Sequence, residues 1–165
     1  MNCRVCNSPL IEFLSLGKMP LVNSFLKSEK EFLDEPKYDL TVGFCPNCYL
    51  VQLINTVPPE QLFKNYIYFS STSQSFLEHC QQTADYLKRR LNLGSENLVL
   101  EIASNDGAQL QYFQKLGIQV LGIDPAENIA KIANEKGIKT IPRFFNYNFA
   151  KELKEKQNIQ ADLVF

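Results

Sequence analysis

The chain has a single histidine, no block of one charge sign and no long apolar run. One histidine cannot build a metal centre made of several imidazoles. Lys and Arg total 17 against 18 Asp and Glu, for a net charge of −1 with no basic stripe. Nucleic-acid binding by phosphate neutralisation is therefore not expected. No stretch reaches about 18 consecutive apolar residues, so no membrane span is expected. The opening "MNCRVC" lacks a positive segment followed by an apolar core, so no secretory signal peptide is expected. Internal repeats and low-complexity tracts are absent.

The 165 residues suit one ordinary domain or two small ones. A hydrophobic fraction of 45% agrees with a soluble globular chain. Five cysteines is an odd number, and four of them fall in two CxxC pairs. Without an export signal, that pattern favours metal ligation over disulfides and points to the cytoplasm.

Two regions differ in pattern. Residues 1–57 alternate short apolar runs with turn residues and cysteine pairs, and read as a small β-rich domain. Within it "YDLTVGF" and "YLVQLI" read as strands flanking a "CPNC" turn. Residues 58–95 hold a one-turn helix with proline near its start, an aromatic and hydroxyl-rich loop at 64–73, and a linking helix. In that helix Phe76, Cys80, Ala84, Leu87 and Leu91 share one face, and Gly94 and Ser95 end it. From residue 96 strands alternate with helices: "NLVLEIA", "DGAQLQYFQKLG", "QVLGID", "PAENIAKIANEKG", "IKTIP", "NYNFAKELKEKQN" and "ADLVF". That order predicts an α/β fold with a parallel sheet of βαβ units. An open parallel sheet has both faces covered. Ending on an apolar strand, the chain is expected to be a fragment or to be completed by a partner.

Cys3 and Cys6 are separated from Cys45 and Cys48 by 38 residues. Each CxxC can bend into a knuckle, and two knuckles make a tetrahedral four-sulfur site that suits Zn2+. Such a site is closed, so its zinc is structural. The competing reading is two redox or merely buried pairs, but a thioredoxin-type pair needs a βαβ setting that neither has. Cys80 reads as an inert core thiol and His79 as structural or solvated.

"EIASNDGAQL" occupies residues 101–110, between a strand and a helical stretch. A dinucleotide turn would place glycine at Ala103, Asn105 and Ala108, and none is there. Asp106, expected at the helix start, would repel a diphosphate. The same charge suits a ligand with adenosine at one end and an amino acid at the other. S-adenosylmethionine (SAM) fits, with Glu101, Asn105, Asp106 and Gly107 lining the amino-acid end. Asp124, 17 residues beyond Gly107, lies where a carboxylate accepts ribose hydroxyls. Asp106 also reads as a helix N-cap and Asp124–Pro125 as a helix start.

These residues resemble the SAM-dependent C-methyltransferases of deoxysugar biosynthesis, which carry an N-terminal zinc-binding domain. "CRVCNSPL", "LGKMPLVNSFL", "CPNCYLVQL", "VPPEQLFKNYIYFSSTSQSFLEH", "LEIASNDGAQL", "VLGIDPAENIA" and "GIKTIPRFF" carry the resemblance. It implies a zinc-binding domain at 1–57 and, at 96–165, the first half of a Rossmann-like SAM-methyltransferase sheet. It implies zinc on Cys3, Cys6, Cys45 and Cys48. It implies SAM held by the Glu101–Gly107 loop, including Ala103 and Ser104, and by Asp124 with Pro125. Tyr66, Tyr68, Ser70, Ser71 and Ser73 would close over SAM. Phe144 and Phe145 fall beside the adenine or in the core. Asn23 would face substrate or form a turn. The implied substrate is a nucleotide-activated 4-keto deoxysugar, methylated after a base removes the proton beside the ketone. That base is expected beyond Phe165, so this chain alone is expected to bind zinc and SAM with little or no turnover. The competing readings are a non-catalytic module or half of a split enzyme completed by a C-terminal chain, and an NAD-type oxidoreductase disfavoured by the absent glycines.

Overall fold

The computed structural model describes residues 1–165, which divide into two compact units, Met1–Leu62 and Phe63–Phe165. Sequence pattern placed the first boundary a few residues earlier, at 57, and set 58–95 apart as a linking region. The helix of that region belongs to the second unit.

The first unit is an antiparallel sheet of β1 (Ile11–Pro20), β2 (Lys37–Phe44) and β3 (Val51–Leu53), in that spatial order. β2 and β3 are the strands read from "YDLTVGF" and "YLVQLI". β1 had no pattern signal. All ten of its residues are exposed, and its register against β2 slips twice, between Glu12 and Leu14 and between Ser15 and Lys18. A strand covered on neither face leaves no period-2 trace. A five-residue helix, α1 (Pro59–Phe63), follows β3 with proline in its first turn, where a missing N–H costs nothing.

The second unit is α/β. β4 (Leu98–Ile102), β5 (Gln119–Ile123), β6 (Thr140–Ile141) and β7 (Leu163–Val164) form a parallel sheet in the order β6-β5-β4-β7. Its helices are α2 (Gln74–Leu91), α3 (Leu110–Lys115), α4 (Glu127–Glu135) and α5 (Tyr147–Gln157). Successive strand residues point to opposite faces. Val99 accordingly packs with Ala84, Phe113 and Ala133 of α2, α3 and α4, while Leu100 packs with Phe149 and Leu153 of α5. Both faces are covered, as apolar parallel strands require. No helix is long and apolar enough to cross a membrane.

Local signals set most ends. Ser73 caps α2 by accepting from the Phe76 N–H, and Asn146 caps α5 by accepting from the Phe149 N–H. α2 stops at Asn92 in the left-handed region (φ 53), earlier than the expected Gly94 and Ser95. α3 is much shorter than "DGAQLQYFQKLG" suggests. It starts at Leu110, because residues 103–109 are taken up by a turn.

The strand order reverses direction at β4. β5 and β6 lie on one side of it and β7 on the other. In open α/β sheets ligands bind beyond the carboxyl ends of the strands at such a switch. The turn after β4 and the residue after β5 occupy that place.

Candidate functional site

In the first unit the two cysteine pairs form matching knuckles. The Cys3 N–H donates to Ser8 O and the Asn7 N–H returns to Cys3 O, at 2.8 and 2.9 Å. The Cys45 N–H donates to Leu50 O and the Tyr49 N–H to Cys45 O, both at 2.9 Å. The residue after each second cysteine is left-handed, Asn7 at φ 59 and Tyr49 at φ 62. Asparagine tolerates that backbone; tyrosine is strained in it.

The four sulfurs lie within 4.8 Å of one another, with Cys3–Cys48 at 3.5 Å and Cys6–Cys45 at 3.4 Å. A tetrahedral zinc with Zn–S bonds of about 2.3 Å would set every sulfur–sulfur edge at about 3.8 Å. The cluster matches that size. Its charge also calls for a cation. Hydrogen bonds from the side chains of Asn47 and then Ser8 draw the Cys6 thiol down to about 5. Cys48 goes up to about 12, because burial and the adjoining sulfurs outweigh the Leu50 N–H that favours its thiolate. Four adjacent thiolates become compatible only around a metal ion.

In the second unit the turn after β4 has three left-handed residues, Ala103 (φ 60), Asn105 (φ 50) and Gly107 (φ 79). A Cβ on Gly107 would collide with Ile138. Asparagine tolerates that backbone at 105, but alanine at 103 is held in it only by its surroundings. The Ala103 N–H donates to Ile123 O at 2.8 Å, and the turn beyond it is held by Asp124, 6% exposed just past β5. Its Oδ2 accepts from the Asn105 N–H and its Oδ1 from the Ala126 N–H, each at 2.8 Å. One carboxylate thus fixes the turn and the start of α4.

Asn105 in turn fixes the segment before α2. Its amide donates to Tyr68 O at 3.0 Å and its Oδ1 accepts from the Ser70 N–H at 2.9 Å. Asn128 on α4 does the same for Tyr66, accepting from its N–H at 3.1 Å and donating to its carbonyl at 2.7 Å. Two asparagines therefore pin this aromatic segment by main-chain contacts.

Asp106, expected as a helix N-cap, is not one. α3 begins at Leu110, and the Asp106 carboxylate is buried instead. Its Oδ2 accepts from the Ser71 hydroxyl and, at 2.7 Å, from Lys136 Nζ. Its Oδ1 has no hydrogen-bond partner, and neither do Glu101 Oε2 and Ser104 Oγ, all three buried. Burial, then the charges of Asp124 and Asp106, push the Glu101 carboxyl up to about 8. Buried polar atoms are almost always paired, so these three, one near the end of β4 and two in the turn after it, mark a polar place that a ligand or water would satisfy.

The remaining predicted residues are placed as follows. Ser70 contributes its backbone, Ser71 its hydroxyl and Ser73 the α2 cap. The Tyr68 ring is half exposed, and Pro125 is half-buried between Asp124 and α4. Phe144 and Phe145 follow β6, at the same end of the sheet, and Phe145 stacks edge-on to Phe149 at 6.4 Å. Asn23 has φ 62 within a turn. Cys80 is fully buried, and burial pushes its thiol up. His79 is exposed, with Nε2 at 3.4 Å from Thr83 Oγ1. Sequence reading missed Gln52, Asn128 and Lys136. Their partners lie 30 to 62 residues away, beyond any local pattern.

Residues 3–63 match a family model described as "Putative zinc binding domain". Over 165 residues the chain is 34% identical to the C-methyltransferase NovU of Streptomyces niveus, covering 99% of this chain and 39% of that protein. The chain therefore spans well under half the length of that curated relative. Among solved structures, Streptomyces venezuelae DesVI is 17% identical over 41% of this chain and 29% of its own, with a TM-score of 0.35. The magnesium protoporphyrin IX methyltransferase ChlM of Synechocystis PCC 6803, solved with bound SAM, is 19% identical over 48% of this chain and 43% of its own, with a TM-score of 0.34.

Proposed function

We propose that this chain is the zinc- and SAM-binding portion of a SAM-dependent C-methyltransferase acting on a nucleotide-activated 4-keto deoxysugar. The observation that carries the SAM reading is the pair of orphan buried carboxylate oxygens, Glu101 Oε2 near the end of β4 and Asp106 Oδ1 in the turn that follows, at the switch point. They suit a cationic ligand and oppose a diphosphate. The similarity to a C-methyltransferase along 99% of the chain supports the same reading and covers both units.

Asp124 would hold the ribose. A carboxylate offers about four lone-pair sites. Two are used by the Asn105 and Ala126 N–H groups, which leaves one on each oxygen for a diol. Glu101 and Asp106 would face the ammonium, with Lys136 and Ser71 keeping Asp106 oriented. Ala103, Ser104, Asn105 and Gly107 would supply the close backbone, Pro125 would shape the wall beyond Asp124, and Tyr68, Ser70 and Ser71 would cover the site. Phe145 would flank the adenine. Bound SAM supplies an electrophilic methyl group. Taking a proton from the carbon beside a ketone requires a positioned base. We assign none to these residues, since the carboxylates here are given to the cofactor and the only histidine is exposed on α2. The base and the sugar site would come from further polypeptide, in the same chain or a complementing one. Cys3, Cys6, Cys45 and Cys48 would hold a structural zinc. A site of four zinc-bound thiolates suits a reducing compartment such as the cytoplasm.

Titration calorimetry of the 165-residue chain with SAM, its demethylated product and NAD tests the cofactor. The expected result is binding of the first two and none of NAD; NAD binding would overturn the reading. Metal analysis should find about one zinc per chain. Less than about half an equivalent would remove the zinc assignment.

A further inference from the structure

β3 is patterned inside out. Val51 and Leu53 are 55% and 40% exposed, while Gln52 between them is 7% exposed. A half-buried strand normally turns its apolar residues inward, and such inversions concentrate at functional sites. The Gln52 Oε1 accepts the backbone N–H of Arg4 at 3.2 Å. That bond fixes the amide's orientation, since the carbonyl must face the N–H donor. The NH2 group then faces Cys3 Sγ, at 3.2 Å. Arg4 reciprocates, its guanidinium donating to Leu53 O. The other side chains that hydrogen-bond a cluster sulfur from outside the four cysteines, Asn47 and Ser8, belong to the knuckles or adjoin them. Gln52 reaches in from the sheet.

We propose that Gln52 is a positioning residue of the metal site, whose side-chain N–H stabilises the Cys3 thiolate and ties the first knuckle to β3. The inference rests on the zinc reading of the four cysteines. A donor to a metal-bound thiolate spreads its charge and fixes its direction. Removing such a partner typically costs about 10–100-fold in metal affinity. Gln52→Glu keeps the size and the acceptor for Arg4 but turns a carboxylate toward the sulfur. Gln52→Leu removes both bonds.

The test uses the full 165-residue chain. In the 15N-labelled, 113Cd-loaded unmutated protein, a Gln52 side-chain amide proton should show scalar coupling to the metal through the N–H···S bond. Chelator competition should show both variants holding zinc about 10–100-fold more weakly, with Gln52→Glu no better than Gln52→Leu. Missing coupling, or a Gln52→Glu affinity within about twofold of the original, overturns the proposal. If neither variant loads zinc, the coupling in the unmutated protein decides alone. An unmutated chain that takes up no zinc is a different result, and overturns the zinc reading itself.

Discussion

Replacing Asp124 should unfold the second unit more easily even with no ligand present. The carboxylate accepts two backbone N–H groups at 2.8 Å, from Asn105 and Ala126, and is 6% exposed. Hydrogen bonds to a charged partner contribute about 1.5–3 kcal/mol each, and a buried donor left without a partner loses that and its hydration. Asp124→Ala removes both acceptors, for about 3–6 kcal/mol. Asp124→Asn keeps one carbonyl oxygen and sets its NH2 against the second N–H, for about 1.5–3 kcal/mol. The turn that would lose this partner also holds Ala103 in the left-handed region, at φ 60. Urea unfolding followed by helical circular dichroism reads the effect, because α2 to α5 all lie in this unit. With a urea slope of about 1–3 kcal/mol/M, the alanine variant should lower the midpoint by at least about 1 M and the asparagine variant by roughly half as much. Equal midpoints for all three proteins would refute the claim that Asp124 holds the turn, and would leave it with a ligand role only.

Glu101 should make stability fall as pH rises. Its carboxyl is raised from 4.5 to about 8 in the folded chain, so the folded state binds the extra proton between those values. The protonated form's advantage is complete below the unfolded value and is lost as pH climbs to about 8. Glu101→Gln should flatten that decline in melting experiments from pH 5 to pH 8. A cation placed beside Glu101 lowers its pKa, so SAM binding near pH 7 should release protons; calorimetric heats that do not vary with the buffer would contradict this. Tyr49→Asn should relieve the left-handed strain at φ 62 by about 1 kcal/mol and slow zinc loss to a chelator. Chelation should melt the first unit while the helical signal persists, since α2 to α5 lie outside it; loss of both together would show that the units do not fold independently.

What could be read from the sequence follows the range of the forces involved. The cysteine knuckles and the alternation of strands and helices are written in spacings of a few residues, and both appear in the structure, whereas the caps at Ser73 and Asn146 emerge only there. β1 left no trace because neither of its faces is covered. Asp106 misled because a carboxylate near the start of an apolar period looks like an N-cap. The turn reaches Leu110 before helix is possible, since residues 103, 105 and 107 are left-handed. Nothing local marks Ala103 for that conformation. It is set by partners about twenty residues later, the Ile123 carbonyl that accepts from its N–H and the Asp124 carboxylate that accepts from Asn105. The same holds for Asn128 on Tyr66 and for Lys136 on Asp106, pairs 62 and 30 residues apart. The carboxylates of the proposed site stand out in the sequence because their charge contradicts a phosphate site. The residues that hold them in place do not, because a neutral amide or a surface lysine shows its purpose only once the fold brings its partner near. An orphan oxygen is likewise a property of three dimensions. Glu101 Oε2 near the end of β4, with Ser104 Oγ and Asp106 Oδ1 in the turn after it, become visible as unpartnered atoms only once the fold has buried them.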